Sequence, residues 1–153
     1  MRITMAQINP VVGDIDGNVS RILDVLPIAA KDRADLVVFP ELILTGYPPK
    51  DLLEFPGFLS QVKAGLDRVV AVSASYRDLG IVLGAPAPTG HRDGKPLFNA
   101  AFLVHAGKVL FRQPKMLLPT YDVFDELRYF KPGDSNDVVP FKIGRGQEPV
   151  HLG

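Results

Sequence analysis

The amino-acid sequence predicts an α/β protein in which helices cover a sheet. Short β-rich apolar runs recur along the chain, and two longer segments between them place apolar residues at three- and four-residue spacing. Two further runs are separated only by Ala106-Gly107-Lys108, which is typical of a hairpin. Strand–helix–strand units beside a hairpin indicate a mixed sheet, and no shift in composition divides residues 1–153 into separate units.

The first two elements are a predicted strand and a predicted helix. Residues 2–8 form an apolar run that ends at Asn9-Pro10, which predicts a buried strand followed by a loop. Asn18 is placed to cap a helix with a regular apolar stripe. The stripe consists of Val19, Ile22, Leu26 and Ala29. Pro27 lacks the amide proton that a helix interior needs, so we expect the helix to be bent or interrupted there.

A second strand and a second helix follow. Residues 36–39 are β-rich, and Pro40 is expected to end them because proline cannot donate to a central ladder. Glu41 therefore lies at the carboxyl end of a strand. The Pro- and Gly-rich residues 45–58 predict an ordered loop. The helix after this loop is marked by Phe58, Val62, Leu66, Val69 and Val70.

The second half of the chain is predicted to be mainly β-structure. Residues 80–84 indicate a third buried strand that Pro86 ends, and residues 97–105 are expected to pair with residues 109–113 across the turn. Two more short strands are expected around Gly144-Arg145-Gly146. The sheet should therefore contain antiparallel pairs beside its strand–helix–strand units.

Composition excludes several classes of function. Lysine plus arginine and aspartate plus glutamate each number 17, so the formal net charge is zero and no field steers nucleic acid or an anionic membrane to the chain. No apolar run reaches about 18 residues and the N-terminus lacks a signal-peptide pattern, so we expect a cytoplasmic protein without a membrane span. Cysteine is absent, which excludes a thiol nucleophile, a disulfide and thiolate metal ligands within these residues.

Glu41 and Lys115 are candidates for chemistry. Glu41 lies among apolar residues, a setting that suits a general base near neutral pH, although a salt-bridged glutamate at a strand end is the ordinary alternative. Lys115 follows a predicted strand and is also in apolar company. It is suited to pair with Glu41 or to stabilise an oxyanion, and the alternative is a surface lysine that extends its ammonium into solvent.

The segment after Lys115 concentrates acidic and aromatic side chains. It contains Tyr121, Asp122, Phe124, Asp125, Glu126, Tyr129 and Phe130. This pattern fits either a binding wall or an amphipathic turn with a solvated face. The histidines, His91, His105 and His151, share no metal-ligand spacing, and no glycine-rich phosphate loop is present. The sequence therefore predicts neither a metal site nor a nucleotide site.

Three segments together resemble the nitrilase, or carbon-nitrogen hydrolase, superfamily. They are ADLVVFPELILTGYPPKDLL, GIVLGAP and LFNAAFLVHAGKVLFRQPKMLLPTYDVFDELRYFKPG. The superfamily cues are one strand that ends in Pro-Glu and a later strand that ends in Pro-Lys. The narrower cues, PELILTGYPPKDLL and KMLLPTYDVFDELRYF, resemble the N-terminal glutaminase domains of glutamine-dependent NAD synthetases. The resemblance implies a four-layer α-β-β-α sandwich, of which residues 1–153 would be the N-terminal part.

The resemblance also implies roles for five residues. In the superfamily a glutamate, a lysine and a cysteine form the catalytic triad, and Glu41 and Lys115 match the general base and the lysine that supports the tetrahedral intermediate. Glu126 matches a second glutamate that helps to orient the substrate amide. Tyr121 matches a tyrosine that contacts glutamine, and Tyr47 matches a pocket position. L-glutamine is therefore the expected substrate.

The triad cysteine has no counterpart in these 153 residues. The resemblance places it in a later strand-to-turn motif, so we expect residues 1–153 to be inactive alone and the rest of the amidase domain to lie outside them. No cofactor is expected in this chain. ATP and Mg²⁺ would bind only to a separate synthetase domain, which would use the ammonia to amidate deamido-NAD. Homo-oligomers are expected for the full-length protein.

Two other functions stay open on the sequence. One is a stand-alone amidase or carbamoylase of the same superfamily, and the YDVFDELRYF segment argues against it. The other is a non-catalytic module that keeps the glutamine pocket without the nucleophile. Such a module should fold alone and bind glutamine without turnover.

Overall fold

A five-stranded sheet forms the centre of the protein. The computed structural model describes residues 1–90, 94–122, 124–142 and 150–152. The strands, in the order in which they lie side by side, are β1 (Ile3–Met5), β2 (Leu36–Val38), β3 (Gly80–Pro88), β4 (Leu97–His105) and β5 (Lys108–Pro114). β1, β2 and β3 are parallel, whereas β3, β4 and β5 are antiparallel neighbours. The predicted mixed sheet is confirmed.

Two long helices pack against each other and cover one face of the sheet. They are α1 (Ile15–Lys31) and α2 (Pro56–Ser73). Side chains alternate along a strand, so Val37, Ile81 and Phe102 share the face that meets these helices. The predicted stripe of α1, which is Val19, Ile22, Leu26 and Ala29, is fully buried in the same cluster. Helical spacing therefore predicted the packed face of α1 correctly.

The start of α1 differs from the prediction. Asp14 rather than Asn18 is the N-cap, and Asp14 Oδ1 accepts a hydrogen bond of 2.9 Å from Gly17 N. Asn18 lies inside the helix and is fully buried, where Nδ2 donates to the carbonyl oxygens of Val11 and Leu44. A buried amide that satisfies two loop carbonyls fixes the loops on the helix. Asn18 therefore ties α1 to the loop that follows Glu41.

Two prolines lie inside continuous elements, so α1 is not interrupted at Pro27 and the predicted end of β3 at Pro86 is wrong. Helix α1 continues through Pro27, and β3 continues through Pro86 to Pro88. Thr89 N donates across the β3–β4 ladder, and this alternation directs the backbone of Pro86 and Pro88 away from β4. On that other side β2 pairs with β3 only as far as Val82. The missing amide protons therefore leave no partner strand without a donor.

The first strand is shorter and more exposed than predicted. β1 covers only Ile3–Met5 of the predicted residues 2–8, and it lies at the edge of the sheet, so its side chains are largely exposed. On the face opposite the helices, Leu36 and Leu103 form a small second apolar cluster. The described residues thus supply one helix layer and one sheet layer of the expected sandwich.

Shorter elements complete the described chain. Ala106 and Gly107 both have positive φ angles and form the predicted turn between β4 and β5. A 3-10 helix spans Lys50–Glu54, and a one-turn helix, α3, spans Glu126–Tyr129. β6 (Val139–Phe141) and β7 (Val150–Leu152) form the predicted last strand pair. Gly144-Arg145-Gly146, around which the last two strands were expected, and His91 lie outside the described residues.

Candidate active site

Glu41 lies in a turn just beyond the carboxyl end of β2. The turn begins where Phe39 N donates to Val82 O of β3, after which the chain leaves the sheet. Leu42, the next residue after Glu41, is fully buried with a φ of +48°. The side chain of Glu41 is 46% exposed, more than its apolar neighbours in the sequence suggested. The turn thus anchors the backbone of Glu41 and leaves part of its carboxylate open.

Lys115 and Glu126 come from later segments of the chain and lie beside Glu41 in the fold. Lys115 follows β5, and its backbone N donates a 2.8 Å hydrogen bond to Asn99 O of β4. Glu126 opens helix α3 and its side chain is only 5% exposed. The two residues are eleven positions apart in the chain, yet the intervening loop brings their side chains together.

The three charged side chains form one ion cluster. Lys115 Nζ lies 2.9 Å from Glu41 Oε1 and 3.1 Å from Glu126 Oε1. Tyr47 OH donates to the same Glu126 oxygen at 2.7 Å. The pairing of Lys115 with Glu41, which the sequence left open, is therefore present. Four of the five candidate residues, Tyr47 among them, belong to this hydrogen-bonded cluster.

Tyr121 is the candidate that stands apart from the cluster. Its side chain is largely exposed, and its ring packs edge-on against Phe124 at 5.6 Å between centroids. Phe124 in turn lies 6.1 Å from the ring of Tyr47. Among the described residues, Tyr121 is therefore connected to the ion cluster through two successive ring contacts by way of Phe124 and not through a hydrogen bond.

Asn99 belongs to the cluster and was not among the candidates. It is 3% exposed on β4, and Nδ2 lies 2.5 Å from Glu41 Oε1 and 3.4 Å from Glu126 Oε2. The signal in the sequence was its place as a lone amide within the apolar run of residues 97–104. A buried amide in such a run needs polar partners, and here the partners are the two carboxylates.

Burial and charge act in opposite directions on Lys115. Burial lowers the pKa of the ammonium, whereas the hydrogen bonds and charges of Glu41 and Glu126 raise it, and the net pKa lies above the ordinary value of 10.5. Burial also raises the pKa of Tyr47 well above its ordinary value of 10, and the hydrogen bond to Glu126 raises it further. At neutral pH the site therefore holds a charged lysine and a neutral, hydrogen-donating tyrosine.

Two clefts reach the cluster. A cleft of about 340 Å³ is lined by Glu41, Asn99 and Lys115 together with residues of β3 and β5. A second cleft, of about 300 Å³, lies beside Tyr47 and Glu126 and is lined by further acidic residues and by Arg128. Both are large enough for a small amide. Within the described part of the chain, no three His, Cys, Asp or Glu side chains are grouped so that they could hold a metal ion.

The family model named Carbon-nitrogen hydrolase matches residues 2–150, which is nearly the whole chain. The chain belongs to the carbon-nitrogen hydrolase family. This confirms the resemblance seen in the sequence. Hydrolysis of a carbon–nitrogen bond is therefore the chemistry against which the ion cluster of Lys115, Glu41 and Glu126 is interpreted.

Relatives within this family are glutamine-dependent NAD(+) synthetases. The chain is 40% identical over 144 residues to that of Thermotoga maritima and 38% identical over 134 residues to that of Aquifex aeolicus, covering 94% and 88% of the chain. These matches span only 24% and 22% of the relatives. The chain thus corresponds to about a quarter of the length of the curated proteins that it matches.

Solved structures agree on the fold of this carbon-nitrogen hydrolase. The glutamine-dependent NAD+ synthetase of Acinetobacter baumannii superposes with a TM-score of 0.79 at 34% identity, over 92% of this chain and 25% of that one. An amidase from Nesterenkonia sp. superposes at 0.78 and 27% identity, over 92% and 51%. Variants of that amidase carry the acetamide moiety of fluoroacetamide covalently on an active-site cysteine. The expected nitrilase-type fold is confirmed.

No helix among the described residues has both the length and the apolar character needed to cross a membrane.

Proposed function

We propose that this chain is the N-terminal part of the glutaminase domain of a glutamine-dependent NAD synthetase and supplies the glutamate–lysine half of its amide-hydrolysing site. The observation that carries the proposal is the position of Lys115 Nζ, 2.9 Å from Glu41 and 3.1 Å from Glu126. A fixed ammonium between two carboxylates provides a proton acceptor and an oxyanion-stabilising cation within one small site.

The proposed reaction uses a thiol that these residues do not contain. Glu41 accepts the proton of a cysteine thiol, and the thiolate attacks the carboxamide carbon of glutamine. Lys115 stabilises the negative oxygen of the tetrahedral intermediate. The carbon–nitrogen bond then breaks, ammonia leaves with the proton from Glu41, and water hydrolyses the thioester to glutamate.

The cleft beside Tyr47 and Glu126 supports glutamine as the substrate. Asp122 and Asp125 line it with negative charge that suits an α-ammonium group, and Arg128 suits an α-carboxylate. Tyr47 and Tyr121 are the proposed side-chain contacts to the substrate. The names of the relatives point to the same amide donor.

The rest of the proposed activity lies outside the 153 residues. In the whole protein, ammonia would be used for ATP-dependent amidation of deamido-NAD, with ATP and Mg²⁺ bound in a synthetase domain. We also propose that the whole protein forms homo-oligomers. These proposals rest on the relatives, because the chain covers only about a quarter of their length.

The test begins with the intact mass of the gene product isolated from its source cells, followed by its hydrolysis of glutamine with and without ATP and deamido-NAD. Glu41→Gln should abolish ammonia release, because it removes the proton acceptor without changing the size of the side chain. Asp67→Asn is the control for loss of a carboxylate, since exposed Asp67 pairs with Lys63 on helix α2 and lines neither cleft beside the cluster. Glutamine-dependent formation of NAD in the control and its absence in the Glu41 variant are expected.

Other results would select the alternatives. Hydrolysis of simple amides without NAD formation would favour a stand-alone amidase, and the amidase from Nesterenkonia sp. shows that this fold supports one. Binding of glutamine without turnover by a gene product of 16.7 kDa would favour the non-catalytic module. Undiminished hydrolysis by Glu41→Gln would contradict the proposed chemistry.

A further inference from the structure

One buried residue, Asn99, contacts every charged member of the cluster. Its backbone oxygen accepts the 2.8 Å hydrogen bond from Lys115 N, so the strand that carries Asn99 also fixes the start of the lysine side chain. Its side-chain Nδ2 donates to Glu41 Oε1 at 2.5 Å and to Glu126 Oε2 at 3.4 Å. A single residue of β4 therefore holds the cation through its backbone and both anions through its amide.

These hydrogen bonds distinguish the two carboxylates atom by atom. Glu41 Oε1 receives Lys115 Nζ and Asn99 Nδ2, whereas no donor within residues 1–90, 94–122, 124–142 and 150–152 reaches Glu41 Oε2. Glu126 uses both oxygens: Oε1 receives Lys115 and Tyr47, and Oε2 receives Asn99. Glu126 is buried and engaged on both sides, while Glu41 is half-exposed and keeps one oxygen open.

We propose that Asn99 is a positioning residue that gives the two glutamates different tasks. It holds Glu41 so that Oε2 is the oxygen that takes the proton, and it holds Glu126 as a fixed counter-charge to Lys115. This inference rests on the proposed amide hydrolysis for the meaning of the proton transfer. The positioning itself concerns only the geometry of this chain.

The chemistry of an amide explains why asparagine suits this position. Glu41 and Glu126 together carry two negative charges against the one positive charge of Lys115, so the carboxylates repel each other. A neutral N–H₂ group donates to both without adding charge, and its two protons match the two acceptors. Aspartate would add a third negative charge, and leucine would leave the acceptor oxygens without their donor.

The inference is separable from a role in packing. Leucine has the branched shape of asparagine and fits an apolar strand, so a residue that only fills space would tolerate Asn99→Leu. A residue that acts through its donor would not. Asn99→Ala provides a second donor-free variant should leucine prevent folding.

The experiment uses the intact gene product and two readouts. With glutamine as substrate, Asn99→Leu should lower kcat by about 100-fold with little change in KM, because the reacting groups are misplaced while the cleft beside Tyr47 remains. Independently of activity, acetylation of Lys115 by acetic anhydride near pH 9 is followed by peptide mass spectrometry. Exposed Lys108 is the internal reference. Loss of the fixed carboxylates should speed acetylation of Lys115 several-fold relative to Lys108, because Glu41 and Glu126 hold the pKa of the ammonium above its ordinary value and that effect is weakened.

The control for lost stability is Ser73→Ala. Ser73 is buried at the opposite end of the sheet, where Oγ donates to Val70 O and accepts from Gly107 N. The Ser73→Ala variant should have a lower melting temperature, with kcat and the rate of Lys115 acetylation unchanged. Wild-type kcat and wild-type Lys115 acetylation in both Asn99 variants would overturn the inference. If the wild-type protein hydrolyses no amide, the proposed function fails, and Lys115 acetylation alone still decides whether Asn99 positions the cluster.

Discussion

Gly84 lies directly against Leu42: a Cβ atom at Gly84 would be 2.4 Å from Leu42 N and 3.1 Å from Glu41 Cα. Leu42 itself is fully buried with left-handed backbone, a conformation that costs a leucine free energy. The turn that carries Glu41 can approach β3 this closely only because β3 has no side chain there. The position of the Glu41 carboxylate therefore depends partly on the absence of a side chain at Gly84 of β3.

Gly84→Ala should displace this turn. We expect a loss of about 2 kcal/mol in the free energy of unfolding, since backbone atoms must move to admit the methyl group, and a lower kcat for glutamine hydrolysis. Gly57→Ala is the matched control, because no atom lies within 4 Å of its added Cβ and the residue is in helix α2. Urea denaturation checks the first effect. Equal stability of the two variants would show that the turn adapts freely.

Lys115→Met should destabilise the fold as well as impair chemistry. It removes the cation from Glu126, whose carboxylate stays almost completely buried, and an uncompensated buried charge is costly. Because Lys115 is one-third exposed and Tyr47 and Asn99 still donate to Glu126, we expect about 2 kcal/mol rather than the larger loss of a fully buried pair. Lys63→Met, which breaks an exposed pair with Asp67, should cost less than about 0.5 kcal/mol. Calorimetry of the two variants compares them directly.

Asp14→Ala and Asn18→Ala should separate the capping of α1, which the sequence assigned to Asn18, from the anchoring of two loops on the helix. Asp14→Ala removes the N-cap of α1 and should cost about 1 kcal/mol. Asn18→Ala leaves the carbonyls of Val11 and Leu44 without their donor and should cost about 2 kcal/mol. Denaturant unfolding of both variants is the measurement, and a larger loss in Asp14→Ala would contradict this assignment.

Stability should fall in alkaline solution above about pH 10. The pKa values of Tyr47 and Lys115 are raised in the folded protein, so the folded state holds both protons more tightly than the unfolded chain. Their contribution is complete below the ordinary values of 10 and 10.5 and is lost as pH rises further, because the unfolded chain then releases its protons first. Tyr47→Phe should flatten this dependence above about pH 10, as measured by denaturant unfolding at each pH. An unchanged slope would show that Tyr47 does not contribute.

The sequence predicted most elements of this fold because local patterns determine them. The apolar stripe of α1, the short turn at Ala106-Gly107 and the end of β2 before Glu41 depend on spacing and turn chemistry within a few residues. The end of β3 was predicted wrongly at Pro86, because a proline is tolerated in a strand when its nitrogen faces a side that has no neighbouring strand. That information is tertiary.

The candidate site was predictable only in part. Glu41 and Lys115 each follow a strand, and strand ends bring distant residues to one edge, so their pairing across 74 positions could be anticipated. Asn99 could not be assigned, because a lone amide in an apolar strand has no identifiable partner until the strands are paired. Asn18 was misread for a related reason. Its partners lie 7 and 26 residues away, whereas a capping interaction is local.

The prolines of β3 also affect whether a further strand can add to this part of the sheet. Beyond Val82, the side of β3 that faces away from β4 has no paired strand among the described residues, and Pro86 and Pro88 carry no amide protons there. A foreign strand needs alternating donors and acceptors to add to a sheet, and this border offers it mainly acceptors. Each of the two prolines therefore removes a donor that an added strand would need, which disfavours extension of the sheet along this part of β3.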